Sequence, residues 1–400
     1  MNQRKTFPAR KWILALLVLP LFGCEHLDDD VRTHVPGKDP LPSWLTLEEV
    51  AQILSSVDIG SSQMGEVHDA VMSSTGNGYD EEYTMKDLFT CPGAGVGDEA
   101  VKAEARTYET PLRKLIADAV AARYGTKADD GSGVSADEFL ESLTQSDVQI
   151  YWPFSEGWDG SSSPVITFDP EDNSDRNIGF VAAADGTLQS VIVDEQMARD
   201  RPVWVVNRND DASYRSLEML RRDDPDWGTG GGLITIKSDT AEKDFKTLVL
   251  RSFKPLRNYD SWFAGASEFF VKCGSVEKFT AKTLEDLQLY SPSITDFMVV
   301  VKRSQIGEEI PFNAVLVSEW TDQLENVAFM ITEDDGGKQT NWKCSSKVTV
   351  KSKTYGFDID IPLNSSDDIV WRGQLSRRYL EKYSGTTGHF GDVDLVMELI

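Results

Sequence analysis

The residues best suited to hold a ligand lie in one run, Tyr151-Trp152-Pro153-Phe154-Ser155-Glu156-Gly157-Trp158-Asp159-Gly160. Flat rings stack on sugar faces and carboxylates accept hydrogen bonds from sugar hydroxyls. Tyr151, Trp152, Trp158 and Asp159 are therefore the candidate ligand-binding set, with a glycan as the ligand. The competing reading is a loop anchored in the core by its rings, since each aromatic side chain buries a large area. Glu156 and Asp159 would also suit polysaccharide hydrolysis if the fold held them about 5–9 Å apart. A second candidate is a hard-cation site. If the strands of the last hundred residues alternate in direction, the loops 304–311, 333–346 and 362–367 emerge at one end. That brings Glu308, Glu309, Glu333, Asp334, Asp335 and Asp367 together. Calcium takes roughly six to eight oxygen ligands, often carboxylates, so Glu333, Asp334, Asp335 and Asp367 are the candidate calcium ligands. Lys338 and Lys343 at the same end oppose it.

Other chemistries find little support. His26 and His34 lie close to the N-terminus, and His68 shares a helical face with Met64, Val67 and Val71, which marks a packing role. Gly265-Ala266-Ser267-Glu268-Phe269 lacks the second glycine of a nucleophile elbow. The run Trp227-Gly228-Thr229-Gly230-Gly231-Gly232 leads into the strand-like Leu233-Ile234-Thr235-Ile236, whereas a phosphate loop needs Gly-Lys-Ser/Thr opening a helix. No catalytic residue is assigned, and the reading leans away from an enzyme.

The N-terminus carries a different signal. Arg4, Lys5, Arg10 and Lys11 make a basic start, followed by the uncharged run Trp12–Gly23, too short for a hydrocarbon core that needs roughly 20 residues. This is the pattern of a secretory signal rather than of folded structure. The run ends in Leu21-Phe22-Gly23-Cys24, and here the chain resembles the bacterial lipoprotein precursors, with an aliphatic residue three before the cysteine and a small one just before it. Phe22 departs from the smaller residue that the pattern prefers. The resemblance implies cleavage after Gly23, a diacylglycerol thioether on Cys24, and residence in the bacterial cell envelope, at the outer membrane. Two or three acyl chains, at about 0.8 kcal/mol per buried CH₂, make such anchoring permanent. The following Glu25-His26-Leu27-Asp28-Asp29-Asp30 resembles the acidic export tag of surface-displayed Bacteroides-type lipoproteins; a charge-extended tether explains it equally well.

Composition sets the class. The net charge of −26 becomes about −30 once residues 1–23, with four basic residues and no acid, are removed. That excess argues against nucleic acid, whose phosphates need Lys and Arg. With 40% hydrophobic residues the chain is long enough for two or three domains. Cys91, Cys273 and Cys344 remain beside Cys24; three pairings are open, and Cys273–Cys344 is preferred because each adjoins a strand-like segment.

The elements that must position these residues fall into regions. Residues 1–23 are the signal and 24–43 the acidic, Pro-containing tether. Residues 44–147 read as helical: Thr46-x-x-Glu49 is a capping box ahead of Leu47, Val50, Ala51 and Leu54. Thr110-Pro111 opens a helix that ends before Gly125, and Ser135-x-x-Glu138 opens a third, burying Phe139, Leu140 and Leu143. Residues 148–290 read as mixed and β-rich, with strands at 165–168, 189–193, 203–206, 233–237 and 247–251 and a helix near 212–221. Residues 291–400 carry about seven short alternating segments, the pattern of an antiparallel β-sandwich. The expected class is α+β. The expected function is a non-enzymatic, membrane-anchored binding protein for a glycan or an envelope protein. The alternatives are a carboxylate-dependent polysaccharide hydrolase and a structural subunit of an envelope complex.

Overall fold

The computed structural model describes residues 40–90, 108, 110–125, 133–182, 187–209, 216–223, 245–335 and 337–400. Cys24, Cys91, the glycine-rich run 227–232 and the expected strand 233–237 lie outside them. The chain is α+β with a β-rich C-terminal part.

The helices are α1 (Leu47–Ser56), α2 (Ser61–Gly76), α3 (Met85–Thr90), α4 (Leu112–Tyr124), α5 (Ala136–Gln145), α6 (Glu195–Asp200), α7 (Leu217–Asp223) and α8 (Arg377–Lys382). The caps work as their residue types require. Thr46 accepts from the Glu49 amide at 3.1 Å and Ser135 from the Glu138 amide at 3.2 Å. The Leu112 amide, first in α4, donates to buried Glu66 at 2.7 Å, and α4 stops at Gly125, whose φ of 66° suits a residue without a side chain.

The strands of the first layer are β1 (Glu82–Thr84), β2 (Val148–Tyr151), β3 (Val165–Phe168), β4 (Arg176–Ala182), β5 (Leu188–Asp194) and β6 (Val203–Arg208). They form one sheet in the order β1-β2-β6-β3-β4-β5, antiparallel except for β3 beside β6. The apolar stripes of α1, α2, α4 and α5 bury against one face, around Ile150, Trp204 and Val206. The expected helical region therefore has no core of its own; its stripes need the strands that follow it. The other face, with Tyr151, Val165, Val193 and Val205, is covered by Trp262 and Phe263 from the loop 256–266.

The remaining strands are β7 (Lys246–Pro255), β8 (Ser267–Ser275), β9 (Ser293–Val301), β10 (Ile310–Trp320), β11 (Leu324–Glu333), β12 (Gln339–Val350), β13 (Lys353–Asn364), β14 (Asp368–Ser376), β15 (Thr386–Phe390) and β16 (Val393–Leu399). One sheet runs β10-β7-β16-β15, and a second is built on β11, with β14 on one side and β8-β9 on the other. Their inner faces meet around Leu248, Phe253, Phe269, Trp320, Phe329 and Leu395. The boundary expected at 290/291 is corrected here. It cuts β8 from β9, which pair along nine positions, so the sandwich begins at Lys246.

The long β12–β13 hairpin pairs with β11 only at Leu324 and Asn326, then crosses the outer face of the second sheet. Ile359, Ile361 and Trp342 pack there on Ala328 and Met330. Gly274 permits the approach: a Cβ on it would lie 2.9 Å from Ile359. This crossing also overturns the expected Cys273–Cys344 bridge. Among the described residues both thiols are free. Cys273 faces the inner core beside Phe329, whereas Cys344 joins the layer against Met330, on the opposite face of the same sheet.

Candidate functional site

The aromatic run is built into the first layer rather than displayed on it. β2 is buried along its whole length, so Tyr151 enters the core, and Trp152 follows at 1% exposure. The Trp152 ring lies 5.9 Å from Trp204, 5.4 Å from Trp158 and 5.7 Å from His68. His68 closes the cluster, 5.1 Å from Trp158. Neither Tyr151 nor Trp152 can stack on a sugar, which corrects the expected binding set; Trp158 is half-buried. Asp159 is exposed, and its carboxylate turns back on its own loop. It accepts from the Ser161 amide and hydroxyl, both at 2.9 Å, and these bonds hold it below the usual range.

Behind this loop stands a feature that pattern reading passed over. Asp80, Glu81 and Glu82 are consecutive acids, and all three are buried. Glu81 accepts from the Ser155 amide at 2.8 Å, the Ser155 hydroxyl at 2.7 Å and the Phe154 amide at 3.2 Å. Those bonds hold Phe154 in the left-handed region at φ 60°, which a bulky residue adopts only under constraint. Asp80 accepts from the Ala266 amide at 2.9 Å, tying the first layer to the loop that enters β8. The signal available in the sequence was the triple acid between Tyr79 and Tyr83, where an exposed strand would alternate.

Burial pushes the Glu81 carboxyl up to about 8, and hydrogen-bonded Glu156 and nearby Asp80 add to the rise. Burial is the largest influence on Glu156 and opposes its charge, but the hydrogen bond from Glu81, its own backbone amide, Lys302 and Ser304 together keep Glu156 below its usual value.

The acidic loops of the sandwich emerge at one end as the alternation of strands requires. Val301, Ser267, Glu333 and Asp368 all terminate strands at that end. The side chains then separate. Asp334 and Asp367 meet, with the Asn364 side chain donating to Asp334 at 3.0 Å and the Asn364 amide to Asp367 at 2.8 Å. Burial, with Asp334 beside it, pushes Asp367 up to about 7. Glu333 turns to Asp260 and Glu268 instead, and one oxygen from each of these three lies within 4.8 Å of the others. Asp335, Glu308 and Glu309 are exposed. The expected four-carboxylate set is therefore divided: Glu333 joins Asp260 and Glu268, Asp334 pairs with Asp367, and Asp335 is exposed. The Asp260–Glu268–Glu333 group offers a hard cation three oxygens, about half of what calcium takes. A guanidinium stands close by, since Arg303 donates to the Asp260 carbonyl at 2.7 Å.

Solvent-facing apolar side chains gather elsewhere. Ile178 on β4 and Ile192 on β5 are direct cross-strand partners, and Leu188 sits opposite Ala182. Ile192 is 61% exposed, Leu188 39% and Ile178 36%. Phe180, between them on the same face, is buried under the helices, so the strip begins where helix coverage ends. Among the described residues no helix is long and apolar enough to cross a membrane. No protein-family model, curated protein or solved structure matches this chain.

Proposed function

We propose that the chain is a lipid-anchored, non-enzymatic protein of the bacterial cell envelope, held by acylated Cys24 at the outer membrane, whose partner is another envelope protein rather than a glycan. One observation carries the choice of partner. Tyr151 and Trp152, two of the rings that would serve a sugar, are core residues, while among the exposed apolar side chains Ile178, Leu188 and Ile192 lie together across β4 and β5. Contiguous exposed apolar residues rimmed by polar ones mark protein contacts.

The test is in-cell photo-crosslinking from position 192, compared with position 343 on the polar face of the β12–β13 hairpin. The purified chain is melted in parallel against a panel of polysaccharides. A discrete crosslinked partner from 192 alone supports the reading. A glycan that raises the melting temperature, with no crosslink, overturns it.

A further inference from the structure

Resting on the reading that the partner is a protein, we propose that β5 is a docking edge that accepts an extended, basic segment of that partner as an added strand. Among the described residues β5 pairs with β4 alone, along all seven of its positions. In an antiparallel ladder alternate residues turn their N–H and C=O groups away from the neighbour, so β5 presents a row of donors and acceptors outward.

Edges of this kind are ordinarily blunted by charge, proline, irregular register or shortness. Among the described residues the other edges are interrupted or partly covered: β9 carries Asp296 in mid-strand and meets Ser216 in an isolated bridge at Met298. β13 carries Asp358 and Asp360, β14 carries Arg372, β10 has Pro311 and shifts of register, and β1 and β15 are short. β5 reads Leu188-Gln189-Ser190-Val191-Ile192-Val193-Asp194, with its one charge at the last position. An incoming strand would place apolar side chains beside Leu188 and Ile192 at alternate positions, extending the sheet and its strip together.

Charge selects the occupant. The loop between β3 and β4 carries Asp169, Glu171, Asp172 and Asp175 and enters β4 at Arg176, directly opposite the end of β5 at Asp194. Arg176 pairs with Asp194 at 3.8 Å, so it is the acidic loop at this end of the sheet, with the net charge of −26, that favours a segment carrying Lys or Arg. A second copy is disfavoured, because each chain bears a net charge of −26.

The experiment uses the purified full chain in detergent and a blocked peptide of alternating Lys and Val. The controls are its Glu–Val counterpart and a version N-methylated at alternate amides, which cannot donate along one edge. The expected result is binding of the Lys–Val peptide alone, with new hydrogen-exchange protection confined to Leu188–Asp194. Ile192→Lys should weaken it about tenfold or more while leaving the melting temperature unchanged. No binding at millimolar peptide, equal binding of the N-methylated form, or protection elsewhere overturns the proposal. Self-association of the chain that Ile192→Lys abolishes overturns it in favour of a second copy. If the peptide fails but position 192 still crosslinks to an envelope protein, the strand mode falls and the protein-binding reading stands. Failure of both removes both.

Discussion

Replacing Trp152 by Ala separates a core residue from a sugar platform. In the structure Trp152 is 1% exposed, with Trp204, Trp158 and His68 around its ring. A buried tryptophan removes about 150–250 Å² from water, which at about 25 cal/mol per Å² is worth about 4–6 kcal/mol. Measured truncations of buried Phe and Trp fall in a similar range, about 3–5 kcal/mol, because the site collapses only in part. At about 2–4 °C per kcal/mol for a large domain, the melting temperature should fall by roughly 6–20 °C. Trp158→Ala, at a half-buried position, should cost clearly less. Urea unfolding followed by fluorescence and circular dichroism supplies the free energy, and an unchanged slope with denaturant shows that the loss is one of stability. A cost for Trp152→Ala below about 1 kcal/mol, close to that of an ordinary surface substitution, would refute the reasoning, most directly if binding to a polysaccharide were lost at the same time.

The Asp334–Asp367 pair should make stability depend on pH. Asp367 titrates near 7 in the fold against a usual 3.8, so between about pH 4 and 7 the folded state holds a proton that the unfolded chain has released. Stability contributed by that proton is present at acid pH and is lost as pH rises through 7. Asp367→Asn should flatten this part of the profile and leave the protein more stable than the parent at pH 8; parallel profiles would disprove it. At pH 6 a chelator should leave the melting temperature unchanged, since the proton already holds the pair, and a fall would place a cation there. Alkylation followed by mass spectrometry should find Cys273 and Cys344 unbridged. The half-buried Cys344 should react before the buried Cys273; a peptide pair joined by disulfide would contradict the fold around β8 and β12. Cys24→Ser should abolish incorporation of labelled palmitate and release the protein from the membrane fraction, and retention there would remove the anchoring proposal.

Much of the local structure was legible before any tertiary information. Thr46 and Ser135 are caps because a hydroxyl at that position satisfies an amide the helix leaves open, wherever the helix later packs. Val393, Leu395 and Met397 face inward on β16, with Asp394 and Glu398 outward, because side chains on a strand alternate. His68 declared its packing role through its neighbours at helical spacing. β8 was passed over because Phe269-Phe270-Val271 is buried on both faces, one by the sandwich core and one by the crossing hairpin and neighbouring residues, so its pattern does not alternate.

What the chain alone determined was thus whatever depends on neighbours within a turn or two: caps, alternation, the α+β class, and the ends at which sandwich loops emerge. Three matters were settled only in three dimensions. Rings beside acids read the same whether they face a sugar or a core, and the choice followed from where α2 laid His68 against Trp152. Two cysteines beside strands became unpairable once a hairpin crossed the sheet and put them on opposite faces. Three consecutive acids became a buried hydrogen-bonding group because Phe154, Ser155 and Ala266 bring their amides to them across long stretches of chain. Each depends on contacts between residues remote in sequence, and spacing along the chain carries no record of such contacts.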